Sequence, residues 1–407
     1  MNAFDLTTDA TQRTRDKLLE IQARCLQDRY AYFPRHAREF LDNGSELRVV
    51  VFSTRGLGFP QQLDQIEAAA ALRGGRVVAV VTDVGETDNL QYLEQRDYKA
   101  IPYDAFFEHA SEYSGCLIVD RTCTWYPGVR YKARLKQHGF AFLRVEQFLN
   151  APGLEAAGGS YRAHSDLMLA RFDEFLALEK HWGDALSLQT YYYALASFIS
   201  MNHEYFAFHC GDYSQRYFPQ DVGLKFDSST VYADCGSHDG QEILIFTALT
   251  NGNFKAVHAF EPDRSNFINL SDNMARYIAQ NGARHIYCHE MGVYDRNAFL
   301  HSEGYSAGVS IVENASDSGA GVHVCRLDDK LDTLSHLRLE IEGAELAALH
   351  GARQLILRDR PSMTISAYHK ASDFLDIMQF IEEADLDYSL SLRHQSLEPG
   401  VLCVYAV

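Results

Sequence analysis

From Thr230 onward short apolar runs alternate with longer segments of helical spacing, and no other feature of this 407-residue chain restricts its fold as tightly. Residues 231–235, 256–260, 285–291, 337–341 and 362–367 read as buried strands, and 241–250, 265–279, 344–357 and 374–383 as helices. Strands joined through a helix run parallel with a right-handed crossover, so this order dictates a doubly wound α/β sheet. Two last runs, 388–392 and 402–407, form a hairpin-like pair that adds a terminal antiparallel strand. Residues 294–321 show no period and read as irregular.

A smaller alternation comes first. Residues 8–43 read as a leading helix, with Leu18, Leu19, Ile21, Leu26 and Tyr30 at helical spacing. Strand patterns at 47–52, 76–81, 116–119 and 140–145, a turn at 53–58 and a helix at 61–72 make a small Rossmann-like α/β sheet. Between 150 and 224 no strand pattern stands out. Residues 165–178 and 187–208 have helical spacing, and Tyr191, Tyr192, Tyr193, Phe206 and Phe208 are assigned to a core. A chain of this length exceeds what one core supports. The expected division is an N-terminal Rossmann-like α/β domain with its leading helix over 1–155, a helical connector over 156–225, and a second α/β domain over 226–407.

Composition narrows the partners. A net charge of −18 without a compensating basic cluster repels a phosphate backbone, so no nucleic-acid partner is expected. The apolar runs are strand-length and the start lacks a basic stretch followed by an apolar one, which predicts a cytoplasmic protein without a membrane segment. The eight cysteines form no close pairs and read as small buried hydrophobes; no metal ligand set is legible.

Three fragments could carry chemistry. Asp234 ends a strand, and Gly236, Ser237 and Gly240 lie in the turn that leads to a helix, where backbone amides can approach a small charged ligand. Glu261 ends the next strand and could accept two ribose hydroxyls, although Glu261-Pro262-Asp263 alone also suits a helix cap. Glu340 and Glu342 flank Ile341 and project to one side, so they could polarise a hydroxyl; Glu342 and Glu345 also suit a helix N-terminus. The turn at 55–58 with Asp83 is a second, incomplete nucleotide-type pattern, lacking the third glycine of a dinucleotide fingerprint. It would take a nucleotide-linked ligand, or serve as a scaffold for packing and a homo-oligomer.

In this order the fragments resemble the FkbM family of S-adenosylmethionine-dependent methyltransferases. The resemblance rests on Asp234, Gly236, Gly240, Phe260-Glu261-Pro262, Asn273, Leu327-Asp328-Asp329, Glu342-Gly343-Ala344-Glu345, Gly351 and Arg360-Pro361, with Tyr217-Phe218-Pro219, Tyr368-His369-Lys370 and Leu392-Arg393-His394 as in one branch. Arg338, Glu340 and Ser237 stand where that family usually has Lys, Asp and Ala. The resemblance implies a class I methyltransferase sheet with S-adenosylmethionine as cofactor. Asp234, Gly236, Ser237 and Gly240 would line its methionine end, Glu261 would hold the ribose, and Glu290 or Gly292 would border the adenine. Glu340, Glu342 and His369 would then be catalytic, with Glu340 and His369 competing as the base for a hydroxyl on a sugar or secondary metabolite. A silent cofactor-binding protein on the same fold is the alternative.

Overall fold

The computed structural model describes residues 5–42, 46–54, 59–82, 89–121, 126–154, 160–209, 211–282, 285–303, 310–312, 320–395 and 401–407. The turn at 55–58, Asp83, Cys123 and Cys210 lie outside the described residues.

Strands β1 (Arg48–Phe52), β2 (Arg76–Thr82), β3 (Ala100–Pro102), β4 (Leu117–Asp120) and β5 (Ala141–Arg144) form a parallel sheet in the order β3-β2-β1-β4-β5. Alternation divides each strand between two cores. Val49, Val51, Val80 and Val119 face Phe59, Leu63 and Phe148, whereas Val50, Phe52, Val81 and Ile118 face Tyr103, Phe106 and Leu135. β3, only three residues long, lacks the apolar run that would mark it in the sequence.

The second half builds β6 (Val231–Cys235), β7 (Ala256–Phe260), β8 (Ile286–His289), β9 (Gly292–Val293), β10 (Ala298–Glu303), β11 (Ser310–Val312), β12 (Ala320–Cys325), β13 (His336–Leu339), β14 (Ser362–Ser366), β15 (Leu390–Arg393) and β16 (Cys403–Ala406). Seven of them make one sheet in the order β15-β16-β14-β13-β6-β7-β8, in which β16 alone runs antiparallel to its neighbours. This is the expected doubly wound sheet with its terminal antiparallel strand. Strand order reverses between β6 and β13, and their carboxyl ends open the crevice where such sheets bind ligands.

The stretch expected to be irregular instead contributes β10, β11 and the start of β12, which join β9 in a small mixed sheet. Ala298–Glu303 reads AFLHSE, which does not alternate, so its pairing is set by its neighbours and leaves no period. The leading segment is two helices, Thr8–Gln27 and Arg35–Asp42. Asp28 is extended (φ −142°), and Pro34, which has no N–H, precedes the restart. The pieces separate: Leu18, Ile21 and Cys25 pack with Tyr191, Leu195 and Phe374 in the core of the seven-stranded sheet, while Ala37 and Leu41 pack in the core of the first.

Helix Ala185–Ser200 carries much of the intervening aromatic core. Tyr191, Tyr192 and Phe206 are buried as expected, whereas Tyr193 is only half-buried; nothing is described of the Phe208 side chain. The helix expected over 344–357 breaks at Ala352 into Glu345–Gly351 and Arg353–Asp359. The Asp328 carboxylate accepts the amides of Gln354 and Leu355 at 3.2 and 3.0 Å, so it starts the second piece as a cap. Five described cysteines are buried and Cys288 is partly so, all as free thiols. Among the described residues no helix is long and apolar enough to cross a membrane.

Buried histidines tie this core to pH. Burial pushes His336 down to about 3, and His203 and His289 down to about 4, from an ordinary 6.5. Between pH 6.5 and 4 these three histidines therefore bind more protons in the unfolded chain than in the folded one, and the stability they contribute falls as pH falls. The His336 ring packs against Phe218, Phe226 and Tyr232, with Nδ1 2.8 Å from Ser362 Oγ. Urea unfolding midpoints should drop across this window, and His336→Asn should flatten the slope; an unchanged slope would remove His336 from this account.

Candidate functional site

Asp234 on β6 lies opposite Arg338 on β13. Arg338 Nη1 donates to Asp234 Oδ1 at 2.7 Å, and the Tyr232 hydroxyl donates to the same oxygen at 2.7 Å. Both charged side chains are buried. Arg338 also donates to the Gly236 carbonyl at 3.2 Å and lies 3.9 Å from the centre of the Tyr217 ring. A planar guanidinium can donate in two directions while stacking on an aromatic face, which a lysine ammonium cannot do, and this gives Arg338 a structural reason to stand here.

Beyond Cys235 the chain turns sharply. Gly236 has φ +82°, and a Cβ there would stand 1.9 Å from the Glu340 carbonyl oxygen, so only glycine lets the end of β6 pass the end of β13. The Gly236 and Ser237 amides donate to the Phe260 carbonyl at 3.0 and 3.1 Å, and the Ser237 hydroxyl donates to the Asp234 carbonyl at 2.8 Å. Gly240, at φ +85°, packs closely on Leu270 and Met274.

A cavity of about 380 Å³ opens at these strand ends. Of the residues singled out in the sequence, Gly236, Glu261, Gly292, Glu340 and Glu342 line it. Asp234 and Ser237 are fully buried, and neither they nor Gly240 reach its wall. Their part is to shape the turn. Glu290 lies outside the wall, paired with Arg264 at 2.6 Å. Glu261 Oε2 accepts the His238 amide and Oε1 the Asp263 amide, both at 2.9 Å, which fixes the carboxylate at the cavity edge. Burial raises its pKa despite those two donors.

A second group meets at the ends of β13 and β14. Glu340 accepts from Arg216 at 2.9 Å and from the hydroxyls of Tyr368 and Ser366. Burial would raise its pKa, but Arg216 first, then His369 and Arg338, hold it down to about 2. His369 Nδ1 lies 2.9 Å from Glu345 Oε1, and its Nε2 lies 3.7 Å from both Glu340 Oε1 and Glu342 Oε1. Burial opposes protonation of this ring, yet Glu345, then Glu340 and Glu342, raise it to about 10. A histidine's ordinary range would suit it to accept a proton near neutrality, but here three carboxylates keep it charged. Burial, with Glu340 and Glu345 nearby, raises Glu342 instead.

Arg216 was not anticipated. It lies 124 residues from Glu340 in sequence, directly before Tyr217-Phe218-Pro219, and nothing in that segment points to Glu340 as its partner. Its position comes from the backbone: the Arg216 carbonyl accepts from Tyr405 on β16, and the Tyr217 carbonyl from Thr364 on β14 at 3.2 Å. Tyr213, Tyr217, Asn266 and Arg338 also line the cavity without having been read as site residues.

Residues 234–390 match the family model of the methyltransferase FkbM domain. This part of the chain is an FkbM methyltransferase domain. Across its length the chain is similar to methyltransferase FkbM from Methylobacillus flagellatus KT, at 26% identity and a TM-score of 0.80, covering 98% of this chain and 100% of that one. Looser likenesses, each with a TM-score of 0.29, are an rRNA methylase from Streptococcus thermophilus (13% identity, 51% of this chain and 95% of that one) and precorrin-6y C5,15-methyltransferase from Geobacter metallireducens GS-15 (14%, 46% and 82%). No curated protein matches the sequence. The family match begins at Asp234, and the similarity to the Methylobacillus protein extends over the N-terminal sheet as well.

The two glycines of the turn should differ in tolerance. Gly236→Ala meets a backbone carbonyl in addition to an unfavourable φ, and its expected cost is on the order of 3 kcal/mol or more. Gly240→Ala meets the ends of flexible side chains, at 2.8 Å, and should cost only about 1–2 kcal/mol. Urea denaturation checks the order; equal losses would refute the close-approach argument.

Proposed function

We propose that this FkbM methyltransferase uses S-adenosylmethionine and methylates a hydroxyl oxygen of a sugar or secondary metabolite. The observation that carries the reading is Glu261, held by two backbone amides in the wall of a cavity that the adjoining Gly236 turn also lines. With the Asn266 side chain as a third donor, the carboxylate keeps one of its about four acceptor positions for a ribose hydroxyl. The volume falls in the range of about 300–1,000 Å³ usual for small-molecule pockets. Asp239, Glu242, Glu261, Glu340 and Glu342 outnumber Arg216 and Arg338 along the wall, a balance that favours a cationic sulfonium.

When bound, the cofactor supplies an electrophilic methyl group, whose C–S electron pair stays on sulfur as the acceptor oxygen takes the carbon. This chain must hold that oxygen in line and receive its proton. Glu340 is a weak base, because Arg216 and two hydroxyls stabilise its anion, and His369 already carries a proton. Glu342, which lines the cavity and has its pKa raised by burial, is the better acceptor. Glu340 and His369 then position it and set the local charge.

Isothermal titration should show one S-adenosylmethionine bound per chain, displaced by S-adenosylhomocysteine, and Glu261→Ala should weaken binding at least tenfold while the protein stays folded. Absence of heat at millimolar ligand would sink the cofactor assignment. Mass spectrometry of cell extract incubated with enzyme and labelled cofactor should find the methylated acceptor. With that acceptor, Glu342→Gln should bind cofactor normally and lose about 100-fold or more in turnover.

A further inference from the structure

We infer that Glu340, Glu342 and Nε2 of His369 form a binding site for one divalent cation of the Mn2+ type beside the cofactor cavity. These ligand atoms lie within 4.8 Å of one another. The inference deepens the methyl-transfer reading by saying what contacts the acceptor hydroxyl.

Four features point to a ligand here. First, Nε2 is buried without a hydrogen-bond partner, on a side chain only 8% exposed, and it is directed between Glu340 and Glu342. Its 3.7 Å separations are too long for hydrogen bonds, but a cation about 2.1 Å from each ligand atom spans such a gap. Second, the other ring nitrogen, Nδ1, is held 2.9 Å from Glu345. A carboxylate on the far nitrogen is the support that metal-binding histidines ordinarily have, since it orients the ring and leaves Nε2 for the ion. Third, Glu342 has no hydrogen bond among the described residues that would have to be broken, and it sits at φ +53°, a conformation that costs a non-glycine residue energy and recurs at functional sites. Fourth, Glu340 has two donors on Oε1 and one on Oε2, which leaves one of about four acceptor positions, on Oε2, for the ion.

One imidazole with two carboxylates combines borderline and hard donors, a set that suits Mn2+ better than the all-oxygen sites of Mg2+. Glu340 and Glu342 line the cavity, so a hydroxyl of the acceptor can enter the same coordination sphere. There the cation lowers the pKa of that hydroxyl. Glu342 binds through one oxygen and keeps the other to take the proton, so its role as proton acceptor is retained. Without the ion the three carboxylates hold the imidazole charged, and a cation entering the site displaces the Nε2 proton to solvent. The competing account, in which the charged imidazole persists as the only cation there, predicts no specific uptake of metal.

Mn2+ binding to the full-length protein, stripped with chelator and measured by electron paramagnetic resonance and calorimetry without cofactor or acceptor, separates the two. One Mn2+ per chain is expected. Glu342→Gln and His369→Gln should each weaken it at least tenfold, Glu345→Gln by about 10–100-fold, and Glu382→Gln, beside the partly buried His181, not at all. Glu342→Gln carries the test if His369→Gln fails to fold, because its side chain is one-third exposed. No binding at millimolar Mn2+, or binding that Glu342→Gln leaves intact, overturns the cation site. Specific Mn2+ uptake by protein that binds no S-adenosylmethionine supports the cation site and overturns the methyl-transfer reading alone.

Discussion

The buried pair of Asp234 and Arg338 is the contact on which the second half of the molecule depends. It lies where strand order reverses, between β6 and β13, and it has further partners, the Tyr232 hydroxyl on the carboxylate and the Gly236 carbonyl and Tyr217 ring on the guanidinium, although Asp234 Oδ2 and Arg338 Nε stay without hydrogen bonds among the described residues. An ion pair removed from water costs desolvation of both charges, and only such additional partners offset it. With Asp234 fixed opposite Arg338, the residues beyond each strand have no freedom of register. Gly236 must cross the Glu340 carbonyl, and the next side chains open into the cavity.

The same crossing places charge. Glu340, Glu342 and Glu345 leave β13 within one turn and surround His369 from β14, while Arg216 reaches the group from the preceding segment. Asp373, beside them, is raised to about 7 by burial and by Glu345. Four acids around one imidazole and one guanidinium carry an excess of negative charge in a half-enclosed space. Such a place favours a cationic partner, whether a sulfonium or a metal ion. The close packing around Glu340 also means that its ionisation is governed by neighbours, with little contribution from its own intrinsic tendency.

The remainder of the chain supports this edge. Helix Thr8–Gln27 crosses back to pack on Ala185–Ser200, and Tyr191 of that helix meets Phe374 behind β14. The Arg216-Tyr217 segment is tied by its carbonyls to β14 and β16, which brings Arg216 to Glu340. Similarity to the Methylobacillus FkbM protein along 98% of the chain indicates that this arrangement of both sheets is shared.

The alternating pattern after Thr230 determined the sheet, because a strand buried on both faces and a helix joining two parallel strands each require a run of defined length and period. Gly236 and the Glu261 strand end were legible for a similar reason, since backbone conformation and strand register are local. Other features had no local signature. β10 to β12 owe their pairing to neighbours, the break at Ala352 goes with the cap from Asp328, and Arg216 approaches Glu340 only through the fold. The ionisation of His369 belongs to the same class: a neutral-range base by sequence, it becomes a held cation because Glu340, Glu342 and Glu345 converge on it, and convergence of charge is a property of three-dimensional distance.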